Sequence, residues 1–182
     1  TDTAAAIPLG LEPKAGDELK QPPRDPRVGL LFPGLILRIA FLAGMMGVGV
    51  FLVFRWAEAR MPVEEARTLA FCTMVTFEWF RAFNARSDEH TVFELGLFRN
   101  RYLVAAIAVA VCLQLSVIYL PFAQIPFNTV PLSLGQWGIA LAAGGSLFVI
   151  EETRKLIAPR LFSFGKWAPV KWRHSASRAK QN

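Results

Sequence analysis

Cysteine is nearly absent from this chain: Cys72 and Cys112 are the only two in 182 residues. Both sit inside apolar runs without Cys-x-x-Cys spacing, which argues against a disulfide framework or a zinc site. Each is read instead as a small buried hydrophobe. Histidine is equally scarce, and His90 stands in a polar loop with no second His or Cys at ligand spacing, so it is read as solvated rather than metal-binding. Charged residues make up only 19% of the chain, and no motif that reads DNA or RNA is present. The net charge of +6 collects in loops and tail, so it reports membrane orientation, and nucleic acid is not an expected partner. No signal peptide is expected in this stretch. The opening TDTAAAIPLG reads as the end of an apolar helix whose beginning lies upstream, so the expectation is a C-terminal piece of a longer protein.

What is abundant is hydrocarbon. Hydrophobic residues make up 53% of the chain and come in blocks rather than at amphipathic spacing, the pattern of a polytopic membrane protein. The expected fold is all-α, with four transmembrane helices plus an N-terminal half-helix stub. Residues 1–11 form the stub, and 12–30 a polar loop in which Pro22, Pro23 and Pro26 forbid a continuous helix. Residues 31–157 hold the bundle and 158–182 a basic tail. The first span is expected over Leu31–Phe54, the second over Ala66–Asn84, the third over Tyr102–Phe122, and the fourth from near Trp137 to Glu151 and Glu152. Between the second and third, Phe93, Leu95, Leu97 and Phe98 predict an interfacial segment.

Two ionisable residues fall inside these spans. Arg38 lies about two turns into the first, where its stem can snorkel to the headgroups, the reading preferred over a role in transport. Glu78 lies among residues that otherwise suit hydrocarbon, where a charge costs at least ~2.5–3.5 kcal/mol on insertion scales and marks an ion or substrate path. Its other reading is a pair with Arg81, three positions on and on the same helix face. Spacing alone leaves both open.

Lys14, Lys20, Arg24 and Arg27, then Arg81, Arg86, Arg99 and Arg101, then the basic residues from Arg154 to Lys180 all fall on one side of the bundle. Only Arg55, Arg60 and Arg67 fall on the other. The positive-inside rule then places both termini and the 85–101 loop in the cytoplasm. The tail mixes Phe162, Phe164, Trp167 and Trp172 with basic residues, which suits an anionic membrane surface at about 1 kcal/mol per basic residue. An autoinhibitory or partner-binding tail is the alternative.

Four ordered stretches carry a resemblance: TDTAAAIPLGLEP with PPRDP, then RTLAFCTMVTFEWFRAFNARS, then LQLSVIYLPF with NTVPLSLGQW, and finally EETRK. Together they resemble the C-terminal membrane region of type II P-type cation-transporting ATPases, the group that contains the sarcoplasmic reticulum calcium pump and the sodium/potassium pump. The resemblance runs from Thr1 to about Arg160. It implies that the stub is the cytoplasmic half of the sixth membrane helix and that the four spans are the seventh to tenth. Asp2 then falls on a cation-binding aspartate, with Thr1 beside it, and Glu78 on the eighth-helix position that supplies a glutamate to one calcium site. Two carboxylates would thus converge in the oxygen-rich surroundings that hard cations need.

Two departures from the family pattern stand out. Ala5 replaces a usual proline three positions after Asp2, so the unwinding of the sixth helix is expected to differ. Arg81 stands one turn after Glu78, where the sodium pump has a carboxylate, and a guanidinium there would neutralise one charge of the site. No DKTGT phosphorylation motif or nucleotide pocket is present, so this chain alone is not expected to hydrolyse ATP. ATP and magnesium would belong to the intact pump, calcium is the expected cargo, and the pump's remaining domains and the lipids are the expected partners. The competing readings are a structural or accessory helical module with no ion ligands of its own and a free-standing four-helix membrane protein.

Overall fold

The computed structural model describes residues 7–11, 31–87, 90–158 and 161. Thr1, Asp2, the 12–30 loop and nearly all of the basic tail lie outside the described residues, as does Ala5. Among the described residues all regular structure is helical. The order is α1 (Pro33–Glu58), α2 (Val63–Asn84), the short α3 (Val92–Leu95), α4 (Arg101–Tyr119), α5 (Pro121–Phe127) and α6 (Leu134–Ile157).

Three of these helices, α1, α4 and α6, are long and apolar enough to cross a membrane. Helix α2 has the length, 22 residues or about 33 Å at ~1.5 Å per residue, but not the apolarity. Its packing explains the difference. Leu69, Cys72, Thr73, Val75, Thr76 and Phe77 are all buried, because α2 lies between α1 and α6 and presents much of its surface to protein. A helix enclosed in this way can carry threonines and charges that a lipid-facing helix cannot.

Close approach holds α2 against α6. The Thr76 hydroxyl lies 2.9 Å from the Ala140 carbonyl and 2.8 Å from its own Thr73 carbonyl. A Cβ on Gly144 would lie 2.8 Å from Phe80 and 3.0 Å from the Thr76 backbone, so only glycine fits this crossing as it stands. The Phe80 and Phe148 rings pack one turn further on, 5.8 Å apart. Gly49 serves the α1 side in the same way, since a Cβ there would meet the Phe77 ring at 2.7 Å. The core joins Ala57, Leu69, Cys72, Ile118, Trp137 and Ala140, drawn from α1, α2, α4 and α6. Gln114 of α4 donates to Cys72 Sγ at 3.4 Å, whereas the Ser116 hydroxyl turns back to its own helix at the Cys112 carbonyl.

Several boundaries differ from the sequence expectation. The first span runs on through Glu58 and the second starts at Val63, which shortens the turn between them to residues 59–62. The third ends at Tyr119, not Phe122, because Leu120 precedes a proline and is extended (φ −89°, ψ 121°), and Pro121 opens a separate helix. The fourth begins at Leu134, where Ser133 and Gln136 form a capping box. In the loop after α2, Thr91 and Glu94 make a second capping box around α3. That turn buries Leu95 and leaves Phe93 and Phe98 exposed.

Candidate functional site

Glu78 lies on α2 six residues before its end, roughly 9 Å along the axis at ~1.5 Å per residue. Thr76 and Phe80 face α6 and Phe77 faces α1. At about 100° per residue Glu78 lies some 200° round from Thr76, so it points away from the α6 contact. Its side chain is 19% exposed. Arg81 donates to Glu78 Oε2 from Nε at 2.8 Å and from Nη2 at 2.5 Å. The i,i+3 pair anticipated from spacing is therefore formed, with the guanidinium at the more open side. Thr1 and Asp2, the other two expected cation ligands, lie outside the described residues. Among the described residues no three His, Cys, Asp or Glu side chains come together as a metal cluster.

The same end of the bundle holds a charge cluster that the sequence reading did not assemble. Arg38 does not snorkel: it is 9% exposed and donates from Nε (3.2 Å) and Nη2 (2.8 Å) to Glu151 Oε1. Glu151 is 1% exposed and also receives Arg154 Nε at 2.9 Å and Nη2 at 3.0 Å, so four N–H groups surround one carboxylate. Burial of the acid is compensated by this double fork, as a buried charge requires. The next residue, Glu152, accepts from Lys155 Nζ at 2.8 Å and from the Val92 backbone N–H at 2.8 Å. Lys155 also donates to the Asn84 carbonyl at 3.0 Å. These bonds tie the end of α6 to the end of α2 and to α3.

Some of this was within reach of the sequence. EETRK places Glu151 with Arg154 and Glu152 with Lys155, both at helical i,i+3 spacing. The partner of Arg38 was not, since it lies 113 positions away. The N-terminal turn at 7–9 is anchored nearby, where Asn100 donates from Nδ2 to the Pro8 carbonyl at 2.9 Å while its Oδ1 caps α4 at the Leu103 N–H. Chemically, this end of the bundle holds one carboxylate, four-fifths shielded and paired with a guanidinium, and a second carboxylate fully saturated in the interior, which is not reached without unpacking α1 from α6.

Comparison with known proteins supplies the context. Residues 1–157 match the family model described as "Cation transporting ATPase, C-terminus". The rat calcium-transporting ATPase type 2C member 2 is 35% identical over 158 residues, 85% of this chain and 17% of the rat protein. The calcium-transporting ATPase of Bacillus subtilis is 34% identical over 143 residues, 78% of this chain and 16% of that protein. The probable cation-transporting ATPase F of Mycobacterium tuberculosis H37Rv is 29% identical over 162 residues, 88% of this chain and 18% of that protein. The chain thus spans about a sixth of the length of these relatives. With the match covering the whole described bundle, and three apolar helices long enough to cross a bilayer, this multi-pass membrane chain belongs to the cation-transporting ATPase C-terminal family, as the C-terminal region of a type II, calcium-pump-like P-type ATPase.

Proposed function

We propose that the chain is the C-terminal membrane domain of an ATP-driven cation pump, with calcium as the transported ion, and that it supplies ion ligands as well as helical scaffold. In this reading α2 is the fourth membrane crossing, admitted because its polar residues face protein. Both ends lie in the cytoplasm, consistent with the placement of Lys and Arg. Glu78 and Asp2, with Thr1 beside it, provide oxygen ligands, and ATP and magnesium act in domains outside this chain. The observation that carries the reading is Glu78 itself: a carboxylate on the most enclosed long helix, turned away from α6, four-fifths shielded and hydrogen-bonded by Arg81. Names of the relatives, two of which are calcium-transporting ATPases, support the choice of ion.

Arg81 favours a second reading. Its hold on Glu78 Oε2 neutralises the acid, so the position can instead be a structural ion pair, with fewer than two cations carried per cycle. The two readings separate in the intact pump. Replacing Glu78 with Gln lowers cation affinity with normal yield if the residue is a ligand, and lowers yield and stability with unchanged affinity if it is a brace. A measured stoichiometry of two divalent ions per ATP would exclude the reduced count.

A further inference from the structure

Glu78, Arg81 and Asn84 stand at successive three-residue steps on α2, a spacing that makes each the neighbour of the next on the helix surface. Arg81 thus has a carboxylate one turn before it and an amide one turn after. The carboxylate accepts from its Nε and Nη2. The amide is 4% exposed, and among the described residues its Oδ1 is one of two buried side-chain nitrogen or oxygen atoms that make no hydrogen bond. The Asn84 backbone carbonyl is satisfied by Lys155, so only the side chain lacks a donor. A buried oxygen in that state bears the full penalty of leaving water.

Arg81 and Asn84 also line one cavity of about 160 Å³ between α1, α2 and α6, with Arg38, Leu147 and Glu151 on its other walls. That is several times the ~30 Å³ share of one water, so a guanidinium has room in it. Helical side chains tilt toward the N-terminus of their helix, which brings the Asn84 amide over the turn on which Arg81 stands. The Arg81 side chain is 40% exposed and can turn without opening the core. We propose that Arg81 is a movable counter-ion and Asn84 its positioning residue: when a divalent cation binds Glu78, the guanidinium leaves Glu78 Oε2, turns into the cavity and donates to Asn84 Oδ1. The exchange rests on the reading of Glu78 as a cation ligand, and it concerns this one bond whatever else the two side chains touch. The incoming cation repels the guanidinium, and the buried amide oxygen gives it a new acceptor. Asn84 thereby raises the fraction of molecules in which Glu78 is open to a cation, and the apparent affinity rises with that fraction.

Calcium isotherms on the intact membrane protein that carries this chain test the exchange as a mutant cycle. Asn84→Leu removes the acceptor at nearly the same shape and is expected to weaken calcium binding about fivefold, whereas Arg81→Gln removes the competitor and strengthens it about fivefold. In the Arg81→Gln background Asn84→Leu has no further effect. Asn84→Asp, a stronger acceptor, raises the affinity, and that gain also disappears without Arg81. An amide that only supported the fold would act alike in both backgrounds. Equal effects with and without Arg81 therefore overturn the proposal, as does unchanged affinity in both Asn84 variants, which assigns the amide to a bound water. Glu78→Gln separates the two levels: if it weakens binding while the cycle is additive, only the exchange fails, and if it has no effect, the ligand reading fails and takes the exchange with it.

Discussion

Arg38 of α1 and Glu151 of α6, 113 positions apart, share two hydrogen bonds to one buried oxygen, Glu151 Oε1, at 3.2 and 2.8 Å. Direct contact between α1 and α6 is otherwise slight, since both pack mainly on α2. The pair is therefore the main polar tie between the outer two helices of the bundle. Glu151→Ala would leave two guanidinium groups facing each other in the interior, at a cost of about 3–5 kcal/mol. Thermal unfolding of the purified protein checks this. The double variant Arg38→Met with Glu151→Met is expected to cost less than the sum of the two single changes, because both single changes remove the same pair of hydrogen bonds.

Gly144 and Gly44 make a matched contrast. Gly144→Ala drives a Cβ into Phe80 and the Thr76 backbone at the tightest point of the α2–α6 crossing, and overpacking of this kind costs about 1–3 kcal/mol. Gly44→Ala meets no neighbour and gains helix propensity, so it should be neutral or stabilising by about 0.5–1 kcal/mol. The melting temperatures of the two variants, measured side by side, decide it.

The start of α6 rests on a capping box in which Ser133 Oγ accepts from the Gln136 N–H and the Gln136 side chain accepts from the Ser133 N–H. Ser133→Ala is expected to lose about 0.5–2 kcal/mol, while Ser133→Asp keeps the acceptor and most of the stability. Denaturant midpoints for the two variants test the assignment.

The long elements were legible in the sequence because apolar blocks of membrane length have few other uses, and α1, α4 and α6 appear close to where those blocks lie. The third span was expected to run through Pro121 to Phe122, but a proline is a good first residue of a helix and a poor interior one, and α5 begins on it. Arg38 was misplaced for a physical reason. A lone arginine two turns into a helix can reach headgroups or a buried acid equally well, and which of these it meets depends on Glu151, set beside it only by folding. The Glu78–Arg81 pair was legible because its geometry is local to one helix. Its consequence for ion binding is not local, since the other expected ligands, Thr1 and Asp2, lie far away in the chain and outside the described residues.

Glu78→Gln in the intact protein tests the central claim most directly, with calcium affinity and purified yield measured on the same preparations. The amide keeps the shape of the side chain and removes one ligand charge, on which the affinity of oxygen-ligand cation sites depends. The account predicts a loss of calcium affinity of about tenfold or more at unchanged yield, about 1.4 kcal/mol or more of binding free energy. Unchanged affinity accompanied by a fall in yield would contradict it and leave Glu78 as a brace for Arg81.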